Sequence, residues 1–430
     1  MSDITLDALE QYVEEAAKAS NAAAQASKEA AEVLGSLLGE ETWTPVFVNA
    51  LREQLKAKGV EPPEGLTLGQ LIDLVGTIET VCEPEEPSEP DTPSEPTVDL
   101  EPYKVAWEAD RSEITELVIP EDVNTLCDTL FMGTMNLKSL TIPANIKKIG
   151  ISTFETSGLE TLTLNDSITD IGRRAFANNY SLKRVSKWPK YLSSVPDECF
   201  ANDYELETIT FSDWTLEEIS SGAFQDCWKL DNITLPETLF HIQPRAFSDC
   251  RSLKEIVFPE MLTTLGMSAF ASCVSLERIV FNEEFTQKYI DINTFGACIK
   301  LKTVNLPASV TTIREGAFRG CTTLETINLE KITNIGRTAF GECKSLKTVV
   351  LDDIQYIQEF AFENCTGLET LRVMGKPTIY YGAFSGVPAT CAVRLDGFRA
   401  EELAMNARSF GFVSGTKITC YGGADEYIVP

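Results

Sequence analysis

The 430-residue chain has 65 acidic against 36 basic residues, a formal charge of −29 and a single histidine. A balance this acidic opposes DNA, RNA and anionic membrane surfaces, which need clustered Lys and Arg, so nucleic acid is excluded as a partner. No stretch approaches the ~18 apolar residues of a membrane span, and the start, Met1-Ser2-Asp3-Ile4, lacks the basic and apolar regions of a signal peptide. No membrane insertion and no signal-dependent export are expected.

Residues 1–40 are rich in Ala, Glu and Lys and predict one helix. Leu9, Val13, Ala16, Ser20, Ala23, Ser27, Ala30, Leu34 and Leu37 fall at alternating four- and three-residue steps, a coiled-coil-like seam. A helix this polar is marginal alone, so it is expected to form a homo-oligomer or to dock on a larger partner.

Residues 41–82 predict a helical hairpin. Pro45 opens its first helix, Val48, Leu51 and Leu55 share a face, and Gly59 closes it. Thr67 then caps a second helix with Leu68, Leu71, Ile72, Val75 and Ile78. Residues 83–103 form an acidic linker in which Pro84, Pro87, Pro90, Pro93 and Pro96 recur every three residues. Polyproline II has about three residues per turn, so these prolines line one edge of an extended rod that separates the helical end from the rest.

From residue 104 to 387 one unit is repeated about twelve times. Its marker is a phenylalanine: Phe131, Phe154, Phe176, Phe200, Phe224, Phe247, Phe270, Phe295, Phe318, Phe340, Phe362 and Phe384, spaced 22 to 25 residues apart. Such a period predicts a solenoid. Most of these Phe follow an Ala, as in Ala246-Phe247, and an aliphatic residue stands five before nearly every one, as Ile242 does. A Leu stands six after, and apolar residues at nine and eleven predict a short half-buried strand, as in Leu253-x-x-Ile256-x-Phe258. Residues 388–430 depart from the pattern, predict a helix near 399–409, and are expected to cap the exposed end of the core.

Seven of the twelve cysteines occupy one column, three after the Phe: Cys227, Cys250, Cys273, Cys298, Cys321, Cys343 and Cys365. Thr134, Ser157, Asn179 and Asp203 fill it earlier, which marks a slot for small side chains and predicts reduced, buried thiols. No Cys-x-x-Cys pair exists and His241 cannot complete a Cys/His zinc set, so no metal is expected. The acids stand in repeat columns and no Gly-rich phosphate loop occurs. No catalytic residue and no cofactor are expected, so the chain does not read as an enzyme.

Seven after the Phe, with the one-residue-shorter repeat of Phe154 shifted to match, Lys138, Glu160, Lys183, Glu207, Asp231, Lys254, Glu277, Lys302, Glu325, Lys347 and Glu369 nearly alternate in sign. Parallel strands ~4.8 Å apart would turn this row into a cross-strand charge ladder. Four after the Phe, most repeats carry bland residues, but three in succession carry Tyr180, Tyr204 and Trp228. Trp188, Tyr191 and Trp214 lie nearby in sequence, and the six are the candidate ligand-binding residues, suited to a sugar face or a protein hot spot.

The unit Leu-x-x-Ile-x-Leu/Phe-Pro-x-x-Ile-x-x-Ile-x-x-x-Ala-Phe-x-x-Cys resembles the BspA-like leucine-rich repeats of surface antigens. The resemblance implies an α+β repeat: a leucine-rich-repeat solenoid with strands on one face and turns or short helices behind, serving as a binding scaffold. The run Leu55–Val60 with Pro63-Glu64-Gly65 resembles a short helical insert of tail and fibre proteins of tailed bacteriophages. Together with the helical anchor, the stalk and the missing export signal, this gives the expectation of a bacteriophage fibre or spike. Its N-terminal helices, through Leu9, Val13, Ala16, Ala23, Ala30, Leu34 and Leu37, would hold a capsid or tail protein, and its solenoid would recognise a host-surface protein or glycan. A BspA-like cell-surface adhesin of a bacterium or protist and an intracellular interaction scaffold are the alternatives.

Overall fold

The computed structural model describes residues 111–430 apart from 212–214, 421, 422 and 424. The expected helix 1–40 with its seam residues, the hairpin 41–82 and the linker 83–103 lie outside the described residues, as does Trp214.

The Phe column becomes a continuous spine. Successive rings from Phe131 to Phe384 stack with centroids 5.1 to 5.9 Å apart, and each of the twelve is 2% exposed or less. The period forces this, because residues one repeat apart come into register and only the interior can hold twelve rings out of water. The Ala before each Phe is fully buried where it occurs, as at Ala246 and Ala317, which leaves room for the ring of the next repeat. The backbone N–H of each Phe from Phe131 to Phe362 donates across to the residue just before the next Phe, for example Phe247 N to Ala269 O at 2.8 Å.

Two rows of parallel strands enclose the spine. One carries the apolar residues at nine and eleven, as in Glu255–Val257 paired with Arg278–Val280. The other carries the aliphatic residue five before the Phe, as in Thr312–Ile313 paired with Asn334–Ile335. The first row is interrupted between Arg184–Val185 and Glu255–Val257, where a single bridge from Arg184 to Thr208 remains.

The α+β expectation does not hold for the described residues, among which there is one α-helix, Ala400–Asn406, and one 3-10 turn, Arg111–Glu113. The reason lies on either side of each Phe. The residue two before it has positive φ in all twelve repeats, as at Arg245 (59°) and Thr338 (47°), and so does the residue two after it, as at Asp249 (60°) and Glu342 (63°). Two left-handed residues four apart break any right-handed helix, so the segment behind the strands is a pair of tight turns.

At the C-terminus the strand Ala392–Leu395 extends the first row, Lys417–Cys420 adds in parallel, and Asp425–Ile428 closes it antiparallel. Phe412 adds a thirteenth ring 5.0 Å from Phe384, and Phe410 O accepts the Phe384 N–H at 2.8 Å. Cys391 lies just before the strand whose Leu395 pairs with Cys420, so the two thiols stand at opposite ends of neighbouring strands, both free.

Candidate recognition surface

The residue four after each Phe leaves the second tight turn and stands on the loop edge of the solenoid. Consecutive turns are one repeat apart, so large side chains in this column must meet. Tyr180 and Tyr204 stack with centroids 5.2 Å apart, and Tyr204 and Trp228 do so at 4.1 Å, with interplanar angles of 18° and 20°. Arg251, the next member of the column, lays its guanidinium 4.3 Å from the Trp228 centroid. The left-handed residues of the turns hold these side chains in place. The Trp228 indole N–H donates to Asp226 Oδ1 at 3.1 Å, and Arg251 pairs with Asp249 Oδ1 at 3.3 Å.

The ladder has one open end. Tyr180 is 49% exposed and next to it the column holds Gly158, where a Cβ would fall 1.8 Å from Met135 O. The other rings are half-buried by their neighbours. That burial, with the Tyr180 hydroxyl and Asp226 nearby, pushes the Tyr204 phenol up, and the Arg251 charge opposes the shift.

Three of the six candidate residues thus come together in the ladder. Trp188 does not join them: it is 1% exposed and packs edge-on against Phe200 at 5.9 Å, inside the core. Its repeat carries an extra residue, so Trp188 drops into the slot that Phe211 and Phe258 fill against Phe224 and Phe270 with the same edge-on geometry. Tyr191 stays outside at 65% exposure, with Lys190 Nζ 5.3 Å from its ring centroid. Arg251, which closes the ladder, was passed over because the pattern that singled out this column was aromatic. The spacing alone would have included it.

The Cys column sits behind the ladder. Each thiol from Cys227 to Cys365 is buried and donates to the carbonyl of the Phe one repeat earlier, as Cys298 Sγ does to Phe270 O at 3.3 Å. Burial pushes these thiols up, to about 12 for Cys321 and Cys365. Ser157 makes the same kind of bond to Phe131 O, and Thr134 donates to that carbonyl from within its own repeat. The slot therefore selects small donors. The charge row runs in register, with Lys183 N donating to Glu160 O at 2.9 Å and Glu325 N to Lys302 O at 2.9 Å. Among the described residues one pair of that row, Lys183–Glu160 at 3.7 Å, is an ion pair. Exposed pairs of this kind contribute little, so register rests on the backbone ladder and the buried columns. Among the described residues no group of three or more His, Cys, Asp or Glu is placed to hold a metal ion, and no helix is long and apolar enough to cross a membrane.

A continuous spine, two strand rows and an exposed loop edge define a leucine-rich-repeat solenoid. The model of the BspA type leucine rich repeat region, which has six copies, matches residues 109–213, 186–288 and 284–390, and the chain belongs to that family. Repeat proteins of this kind are in general non-enzymatic binding proteins. Among solved structures, a leucine-rich repeat protein from Bacteroides ovatus is similar at 28% identity and a TM-score of 0.63, over 70% of this chain and 76% of that one. A leucine rich cell surface protein from Faecalibacterium prausnitzii is 22% identical over 55% of this chain and 86% of its own, with a TM-score of 0.29. A leucine-rich repeat protein from Eubacterium ventriosum is 16% identical over 65% and 84%, with a TM-score of 0.37. No curated protein matches the chain significantly.

Proposed function

We propose that this chain is a non-enzymatic adhesion protein that recognises a host-surface protein along the rim of Tyr180, Tyr204 and Trp228, displayed on a bacteriophage fibre or spike. The ladder carries the reading. Its rings occupy one another's faces, so their rims and the Tyr hydroxyls are what a partner meets, and sugar stacking is confined to the outer face of Tyr180. Rigid aromatic rims beside a fixed guanidinium suit a protein hot spot. The display reading rests on the sequence alone: the seam from Leu9 to Leu37 would hold a capsid or tail protein, and the proline linker would set the solenoid at a distance. A cell-surface adhesin is the second reading, favoured by membership of a repeat family often found at cell surfaces.

Binding of the labelled full chain to intact host cells tests the ladder, with a Tyr180→Ala, Tyr204→Ala, Trp228→Ala variant beside it. Lost binding at an unchanged melting temperature supports recognition. Unchanged binding with a lowered melting temperature reduces the ladder to a support for its loops. Mass spectrometry of purified virions and of cell envelopes separates the two sites of display.

A further inference from the structure

Near its C-terminal end the first strand row places two like charges side by side. Register sets Arg372 of Thr370–Val373 directly beside Arg394 of Ala392–Leu395. Leu371, Val373, Val393 and Leu395 are buried, so both arginines stand on the outward face, with side chains 43% and 44% exposed, on parallel strands ~4.8 Å apart. Like charges in register on neighbouring strands repel, and the row seven after the Phe avoids them almost throughout. A local rule broken in this way marks a candidate site.

One carboxylate answers both arginines. Asp396, with its side chain 8% exposed, accepts from Arg394 Nε through Oδ1 at 2.6 Å, and Arg372 Nε lies 3.6 Å from Oδ2. Both guanidiniums thus turn Nε towards Asp396 and leave their terminal nitrogens over. Arg372 Nη2 reaches a weak acceptor, Met374 Sδ, at 3.1 Å. Arg372 Nη1 and both Nη atoms of Arg394 have no hydrogen-bond partner among the described residues, and Arg372 Nη1 is open to water. An acid flanks the pair on either side. Asp352 stands exposed one strand before Met374, and Glu426 lies beyond Thr419, paired with Lys417 at 2.9 Å.

We propose that Arg372 and Arg394 bind the carboxylate of an acidic sugar. Two guanidiniums sharing one carboxylate leave one positive charge over, and a second carboxylate offers an oxygen to each. The flanking acids and the net charge of −29 repel any further negative charge on the ligand, which disfavours phosphate monoesters, polyanions and acidic peptide runs. The body of the ligand meets hydroxyls, since Thr348, Thr370 and Thr419 share the outward face and each can donate and accept. Both arginine-bearing strands are paired on both sides, so their backbones offer nothing to an extended peptide.

Saturation-transfer NMR on the full chain tests this with the methyl glycosides of glucuronic acid, galacturonic acid and N-acetylneuraminic acid at millimolar concentration. Each is run beside its methyl ester, which keeps the sugar and removes the charge, and beside tetraglutamate and methyl phosphate. At least one free acid should receive saturation while its ester receives none, and about 0.5 M sodium chloride should weaken the binding. Arg394→Gln and Arg372→Gln each leave Asp396 one guanidinium, and each should weaken the binding at least about tenfold at an unchanged melting temperature. Tyr180→Ala should leave it alone, which separates this site from the ladder. No transfer to any free acid, equal transfer to an ester, unchanged binding by both arginine variants, or tighter binding of tetraglutamate or methyl phosphate would overturn the assignment.

Discussion

The side-chain amide of Gln287 satisfies both backbone groups of Leu265: its Oε1 accepts the Leu265 N–H at 2.7 Å and its Nε2 donates to Leu265 O at 3.1 Å. This is the point where the second strand row breaks between Thr264–Leu265 and Tyr289–Ile290, in the longest repeat, and the side chain stands in for the missing strand. Gln287→Ala should lower stability by about 2–6 kcal/mol, since two buried backbone groups lose their partner at roughly 1–3 kcal/mol each. Urea denaturation measures it, and a loss below about 0.5 kcal/mol, the range of an ordinary surface change, would show that water replaces the amide.

The Cys column should behave as packing. Cys298→Ala should lower stability by about 1–3 kcal/mol through a small cavity and a lost donor to Phe270 O. In the folded protein the thiols from Cys227 to Cys365 should resist alkylation at mildly alkaline pH, because burial raises them all. Rapid labelling before unfolding would contradict their placement.

Asp203 stands in that same column, fully buried, and burial pushes its carboxyl well above the usual carboxylate range even though the Asn179 N–H donates to it. Its folded pKa exceeds its unfolded one, so the folded state holds the extra proton. Its contribution is favourable at acid pH and is lost as pH rises from about 4 towards the folded pKa. Asp203→Asn should be more stable than the parent at neutral pH and should flatten that slope. Glu155 has the opposite sign. Burial opposes its charge, but hydrogen bonds from Arg174 and Ser152, the Arg174 charge and Asn178 outweigh it and hold the carboxyl below the ordinary 4.5. Stability from Glu155 is present above that pH and disappears as pH falls through its folded pKa. Melting temperatures of the two variants, Asp203→Asn and Glu155→Gln, against pH should therefore diverge from the parent on opposite sides.

Thr338 is β-branched and sits at φ 47°, where L-residues with branched side chains are strained. Thr338→Gly should stabilise by up to about 1 kcal/mol, the left-handed cost less the entropy glycine gains when unfolded. Destabilisation in urea titrations would mean that the Thr338 side chain contributes more than its backbone costs.

The seam of residues 9–37 predicts that the full chain is an oligomer or is bound to a particle, whereas residues 104–430 are monomeric. Light scattering on both decides it, and a monomeric full chain without a virion partner would remove the anchoring role.

The spine and the inward columns were legible because a period of about twenty-three residues repeats each contact many times, so Phe247 and Ile256 report their own burial. The absence of helices behind the strands was not. Only Gly222, Gly316 and Gly382 mark the left-handed position before the Phe, and residues such as Arg245, Thr338 and Phe360 give no sign that φ is positive. The column of Tyr180, Tyr204 and Trp228 was readable from spacing, but the stacking that hides their faces follows from the rise per repeat. Trp188 misled through a single inserted residue, which moved a core slot out of register.

The bond from each Phe N–H to the following repeat makes the polypeptide's synthesis matter. Whichever repeat has most recently left the ribosome holds its Phe with a buried donor unanswered until the next one arrives, and the same is true of any chain that stops early within the solenoid. Phe384 has no thirteenth repeat to wait for; its bond goes to Phe410 of the terminal segment. A premature stop anywhere before residue 410 would thus leave a sticky, unfinished edge, and Phe410 acts as the signal, written in a hydrogen bond, that the last of the twelve turns is closed.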